Sequence, residues 1–220
     1  MQSKWWKILG ILLVLYSIIG GLLFPVPQLN ILNETIRNLY FHVTMWFSMI
    51  FLMLFSMIQS IRYLNGMDRT RDIKAETLAS TGMFMGILGL VTGMIWAQFT
   101  WGTFWVSDPK LNGTAVTMLI YLAYFILRNS IENEDSRGRI AAIYNIIAFV
   151  MMIVFIGVLP RMTDSLHPGN GGNPAFGNYD LDSNMRMVFY PAVIGWILIG
   201  SWIAQLRYRI KVLEFNNEIK

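Results

Sequence analysis

The chain of 220 residues contains no cysteine, only two histidines and few charged residues, 14% of the total against 55% hydrophobic. Without cysteine there is no disulfide, no thiolate nucleophile, no Cys-ligated metal or iron–sulfur cluster, and no thioether link to a prosthetic group. The poverty of charge, with a mean hydropathy of +0.49, excludes an ordinary soluble domain. The charges that exist are clustered, and they leave six apolar windows: Ile8 to Phe24, Leu39 to Ile61, Thr77 to Trp96, Leu111 to Leu127, Ile140 to Leu159 and Met187 to Leu206. Each is close to the ~20 residues a helix needs to cross hydrocarbon, the fourth being short. The runs are continuous rather than alternating, which favours helices over a barrel. The expected fold class is an all-α integral membrane protein with six transmembrane helices.

The first window follows Lys4 and Lys7 as a secretory signal would, but no small-residue cleavage site precedes "FPVPQLN", so it is expected to be a retained helix. Lys and Arg fall unevenly on the two sides. The amino terminus, "RYLNGMDRTRDIK", "RNSIENEDSRGR" and the tail from Arg207 hold 2, 4, 3 and 4 of them, whereas the other side holds only Arg37, Lys110, Arg161 and Arg186. Thirteen against four predicts both termini in the cytoplasm. The net charge of +4 follows from this asymmetry, so no nucleic-acid partner is expected. The cytoplasmic connections are too short for a soluble catalytic domain, and "IENEDSRGR" reads as a solvated turn. Any site therefore lies outside or within the bundle. No Asp, Glu, Lys, Arg or His occupies the middle of a window, which argues against a proton-driven pump.

Gly82, Gly86, Gly89 and Gly93 recur at spacings of three and four and predict close helix packing, and the fifteen Met read first as adaptable filling. Both histidines fall on the outer side. His42 lies at the outer end of the second window, with Trp46 one turn later, and His167 lies in the longest external connection. Two neutral imidazoles on one side of a bilayer can supply the two axial positions of one haem iron, though not of two haems. Between the third and fourth windows stands "WGTFWVSDPKLNG". If "WGTFWVSD" is helical along the membrane surface, Trp101, Trp105 and Asp108 share a face. The segment reads either as an interfacial aromatic belt or as a platform for a flat apolar ligand whose anionic edge meets Arg37, Lys110, Arg161 or Arg186.

Trp101 to Asp108 resembles the tryptophan-rich WWD signature, roughly WGxxWxWD, of membrane proteins that handle haem in cytochrome c maturation. The order of features along essentially the whole chain is similar to the smaller, six-helix branch, the haem exporter protein C (CcmC) family. That order is an external His at the second helix, the WWD segment between helices three and four, and an external His in "SLHPG" between helices five and six. Ser107, Phe104, Lys110 and Thr44 depart from the residues usual there. The resemblance implies one domain, 1–220, with haem-binding segments at about 37–46, 97–113 and 160–186. It implies haem b held non-covalently by bis-His axial ligation from His42 and His167, with Trp101, Gly102, Phe104, Trp105, Asp108, Trp46, Arg37 and Lys110 around it. It further implies delivery of haem to a CcmE-like periplasmic haem chaperone, beside ABC-type CcmA/CcmB-like subunits and a small CcmD-like subunit, in the bacterial inner membrane. Transfer rather than turnover is the expected activity. Two other readings are a cytochrome c haem lyase-type assembly enzyme of the larger branch, which would carry more helices and more histidines, and a transporter or structural subunit whose outer Trp and His are merely interfacial.

Overall fold

The computed structural model describes residues 4–29, 31–168, 175–177 and 180–218. Those residues are helical with no strand. The elements are α1 (Trp5–Leu23), a 3-10 turn (Asn33–Asn38), α2 (Leu39–Gly66), α3 (Arg69–Trp101), α4 (Pro109–Ser130), α5 (Glu134–Met152), a π-helical stretch (Ile153–Val158), the single turn α6 (Leu159–Met162) and α7 (Ser183–Glu218). Counting α5 through α6 as one, six helical segments are long and apolar enough to cross a membrane. Most run past the apolar windows. The 33 residues of α3 span about 50 Å at 1.5 Å per residue, well beyond the ~30 Å hydrocarbon core. Hydropathy marks only the part that must be apolar, whereas backbone hydrogen bonding carries the helix on into the polar zone.

The packing inverts the soluble pattern. Ile8, Leu12, Leu15 and Ile19 of α1 are exposed, while its Gly10, Ser17, Gly20 and Gly21 are buried. In lipid the outward face has no reason to be polar, and small residues let backbones approach. Helices α2 and α3 form the central pair, α1 packs on α7, and α7 also leans on α2 and α3.

The basic end of the bundle is tied by polar contacts. Arg128 of α4 makes two hydrogen bonds, both 2.7 Å, to the carboxylate of Asp72 in α3, and both side chains are buried. Arg69 bridges Asp72 to Glu134 of α5, and Lys211 of α7 pairs with Glu76 of α3. One layer inward, Asn145 of α5 donates to Ser56 and Ser60 of α2 at 2.7 and 2.9 Å, and Ser56 donates to the Ala75 carbonyl of α3. Five helices, α2 to α5 and α7, are thus fixed to one another at this end.

The opposite end is looser. Helix α5 packs on both α2 and α4, whereas its π-helical continuation packs on α4 and α6. Pro160 lacks the N–H that would close a regular α turn, and a π segment is a common response to such a break. Gly113 at the start of α4 lets the Phe155 carbonyl come close enough that a Cβ there would collide with it. The fifth span thereby swings away from α2 and leaves room between them.

Candidate functional site

That room is a cavity of about 610 Å³, within the ~300–1,000 Å³ usual for ligand sites. Its walls come from α2 (His42, Trp46, Phe47), α3 (Gly93, Trp96, Trp101), the start of α4 (Lys110, Leu111, Thr114), the π segment and α6 (Ile156, Gly157, Pro160, Arg161) and the connection that follows (Leu166, His167). The two histidines, 125 positions apart in the chain numbering of His42 and His167, line the same space.

Each imidazole is oriented through Nδ1. His42 Nδ1 lies 2.8 Å from the Gly89 carbonyl, which can only accept, so Nδ1 carries the proton. Its ring meets Trp46 and Trp96 edge-on at 6.3 and 5.9 Å. His167 Nδ1 lies 3.1 Å from Asp108 Oδ1, and its ring meets Trp101 edge-on at 5.3 Å. Among the described residues neither Nε2 has a hydrogen-bond partner, and both histidines line the cavity.

The glycines of α3 explain why the histidine and tryptophan of α2 fit. A Cβ at Gly89 would fall 2.8 Å from Trp46 Cε2, and one at Gly93 would fall 2.5 Å from His42 Cε1. Lower on the same stripe, Gly82 and Gly86 accommodate Met53 and Met49. Close packing is what the spacing predicted, and at its upper end the groove receives site residues.

The segment from Trp101 to Asp108 is not a surface helix. Trp101 is the last residue of α3, Gly102 ends that helix in the left-handed region at φ 77°, and Asp108 caps α4, accepting from the N–H groups of Lys110 (2.8 Å) and Leu111 (3.3 Å). Gly and Asp-Pro are strong stop and start signals, and they override the continuous spacing on which a helix was conditional. Trp101 and Trp105 nevertheless both reach the cavity, with Trp105 Nε1 donating to Asn112 Oδ1 at 3.3 Å.

Other expected site residues sit elsewhere. Gly102 and Phe104 do not line the cavity, and Phe104 is 53% exposed. Arg37 does not line it either: its Nη1 donates to the Gly21 and Phe24 carbonyls at 2.8 and 2.7 Å, and its Nε pairs with Glu34. Arg186 donates to the Asp182 carbonyl and to Ser183. Lys110 and Arg161 are the cations on the wall, and Lys110 Nζ also donates to the Pro168 carbonyl at 3.3 Å. Asp108 is 1% exposed and stands behind His167 rather than on the wall. Burial opposes its ionisation, but the Leu166 N–H, His167, the Ser165 hydroxyl and the Lys110 N–H outweigh this and hold its carboxyl below the usual range. Burial lowers the pKa of His167, helped by Lys110 and opposed by Asp108. Of the 160–186 segment, residues 169–174 and 178–179, including Gly169 of "SLHPG", lie outside the described residues.

The whole chain, residues 1–220, matches the family described as CcmC, heme exporter protein C. This chain belongs to the heme exporter protein C family. Similar curated proteins bear that name in Paracoccus denitrificans (25% identical over 189 residues, 86% of this chain and 78% of the relative), Rhodobacter capsulatus (26% over 160 residues, 73% and 66%) and Escherichia coli strain K12 (25% over 142 residues, 64% and 56%). A multi-pass membrane protein is what both the six spans and the family indicate.

For this CcmC-family chain the sequence reading missed Trp96, Phe47, Thr100 and the π-segment wall. Gly93, Trp96, Ala97, Thr100 and Trp101 continue the glycine stripe at helical spacing, so a longer third helix would have revealed them. No sequence signal marks the π segment beyond Gly157 and Pro160.

Proposed function

We propose that the protein binds haem b, its cargo, at the outer face of a bacterial inner membrane, with His42 and His167 as axial ligands, and hands it on for cytochrome c maturation. The observation that carries the reading is that the only two histidines of the chain line one cavity with Nδ1 engaged and, among the described residues, no hydrogen-bond partner on Nε2. Metal-bound histidines characteristically have the second nitrogen hydrogen-bonded in this way. Trp46, Trp96, Trp101 and Trp105 offer the apolar aromatic surface a porphyrin needs, and Lys110 and Arg161 offer cations to its propionates. The residues present therefore fit the group.

The chain's own part is holding and releasing. The α2 imidazole is fixed from within the bundle, whereas His167 sits on a connection that a partner can approach from the aqueous side. The recipient in this reading is a CcmE-like haem chaperone, with CcmA/CcmB-like and CcmD-like subunits alongside, as the resemblance of the WWD segment and its flanking histidines implies. Transfer by positioning, without covalent work by this chain, fits a wall that offers ligands and aromatic faces.

The test is the visible spectrum of the detergent-purified protein with added hemin. A Soret band is expected. It should be weakened in His42→Gly and His167→Gly, partly restored by free imidazole in each, and lost in the double variant. No Soret band in the unaltered protein would leave the aromatic belt of a non-haem membrane subunit as the better account.

A further inference from the structure

We propose that Asp108 sets the axial ligand field of the bound haem through His167: its carboxylate fixes Nδ1 as a hydrogen-bond donor, leaves Nε2 for the iron, and makes His167 the stronger electron donor of two unequal axial imidazoles. The inference rests on the bis-histidine reading above.

The geometry around Asp108 determines the direction of the bond. Its Oδ1 accepts from the N–H groups of Lys110 and Leu111, and its Oδ2 accepts from the Leu166 N–H at 2.7 Å and from Ser165 Oγ at 2.9 Å. Backbone N–H groups only donate, and they converge on both oxygens, so both oxygens are acceptors. The ring nitrogen 3.1 Å from Oδ1 must then be the donor. Ser165 Oγ accepts from the His167 N–H at 3.1 Å, which leaves its own proton for Asp108. One buried carboxylate thus caps α4 and holds residues 165–167 over the cavity.

His42 lacks any such partner. Its Nδ1 meets a neutral carbonyl, that of Gly89. A hydrogen bond to a carboxylate is stronger than one to a carbonyl and gives the imidazole more anionic character, which raises its basicity toward a metal. A more basic axial ligand stabilises ferric over ferrous iron, since axial identity and hydrogen bonding behind the ligand are among the levers a protein has on haem potential. Asp108 is a positioning residue in this account, acting on the iron through another side chain.

The experiment uses the full chain loaded with hemin in detergent and reads the midpoint potential and the ferric-haem affinity. Asp108→Asn keeps a good helix cap and the side-chain size. It should raise the potential and weaken ferric-haem binding by about 10–100-fold, and Asp108→Glu should restore part of both. In a His167→Gly background Asp108→Asn should add no further shift in potential; a shift that persists there would mean Asp108 acts on haem by another route and would overturn the proposal. Should Asp108→Asn fail to accumulate, the single-histidine variants decide. His42→Gly retains the carboxylate-bonded imidazole and should show a lower potential than His167→Gly. Equal potentials overturn the inequality of the ligands, while a haem-free unaltered protein overturns the binding reading itself.

Discussion

His42 stands against Gly93 so closely that a methyl carbon on the glycine would lie 2.5 Å from Cε1 and 2.9 Å from Nδ1. Ring and methyl cannot share that volume. Gly93→Ala should therefore push the imidazole out of the groove, costing about 1–3 kcal/mol of overpacking and most of the bound haem. Gly82→Ala is the control, because its Cβ would meet the flexible end of Met53 at 3.1 Å, which can move aside. Haem content per purified protein, measured for both, checks the contrast. Equal content would show that the present position of His42 is not required.

The contrast also shows what was legible beforehand. The six spans and the class followed from hydropathy, because crossing hydrocarbon imposes a length and a composition that few other demands imitate. The glycine stripe was readable as close packing, since spacings of three and four define one helix face. That His42 and Trp46 were what it packs was not readable, as spacing gives a face and never the residue opposite. Arg37 looked like a cation for an anionic ligand because charge was all the sequence displayed; the fold uses it to satisfy the carbonyls that end α1. Asp108 looked like part of a ligand-facing segment, and its burial behind His167 depends on the approach of a connection 57 residues later at Ser165.

The aromatic wall makes a second prediction. Trp96→Ala and Trp101→Ala should each lower haem retention by about 1–3 kcal/mol if the indole is buried against porphyrin. Phe104→Ala, at an exposed position off the cavity, should leave retention unchanged. Hemin titration followed at the Soret band distinguishes them. Equal loss in all three variants would point to a general interfacial anchor instead.

At the far end of the bundle, Asp72→Asn leaves Arg128 buried without its carboxylate, and breaking such a pair from one side costs about 3–5 kcal/mol. Lower thermal stability in detergent is expected. Because this clamp sits at the basic end, protein that remains folded should show an unaltered haem spectrum. A changed spectrum in the folded fraction would mean that the two ends are coupled.

Orientation can be read directly because the chain has no cysteine of its own, so each introduced thiol is the sole target for a maleimide. Phe104→Cys places one on the exposed connection between α3 and α4, at the end that carries the cavity. Asn65→Cys and Asn217→Cys place one at the opposite end, near the close of α2 and of α7, at exposed positions. Basic residues are retained on the cytoplasmic side, and the excess at the Asn65 and Asn217 end sets the expected direction. In intact cells whose outer barrier is permeabilised, a membrane-impermeant maleimide should label Phe104→Cys and spare the other two. All three should label once the inner membrane is opened, which controls for thiols that are simply unreactive. The reverse pattern would turn His167 toward the cytoplasm, away from any periplasmic recipient, and delivery of haem outward from this cavity would no longer be possible.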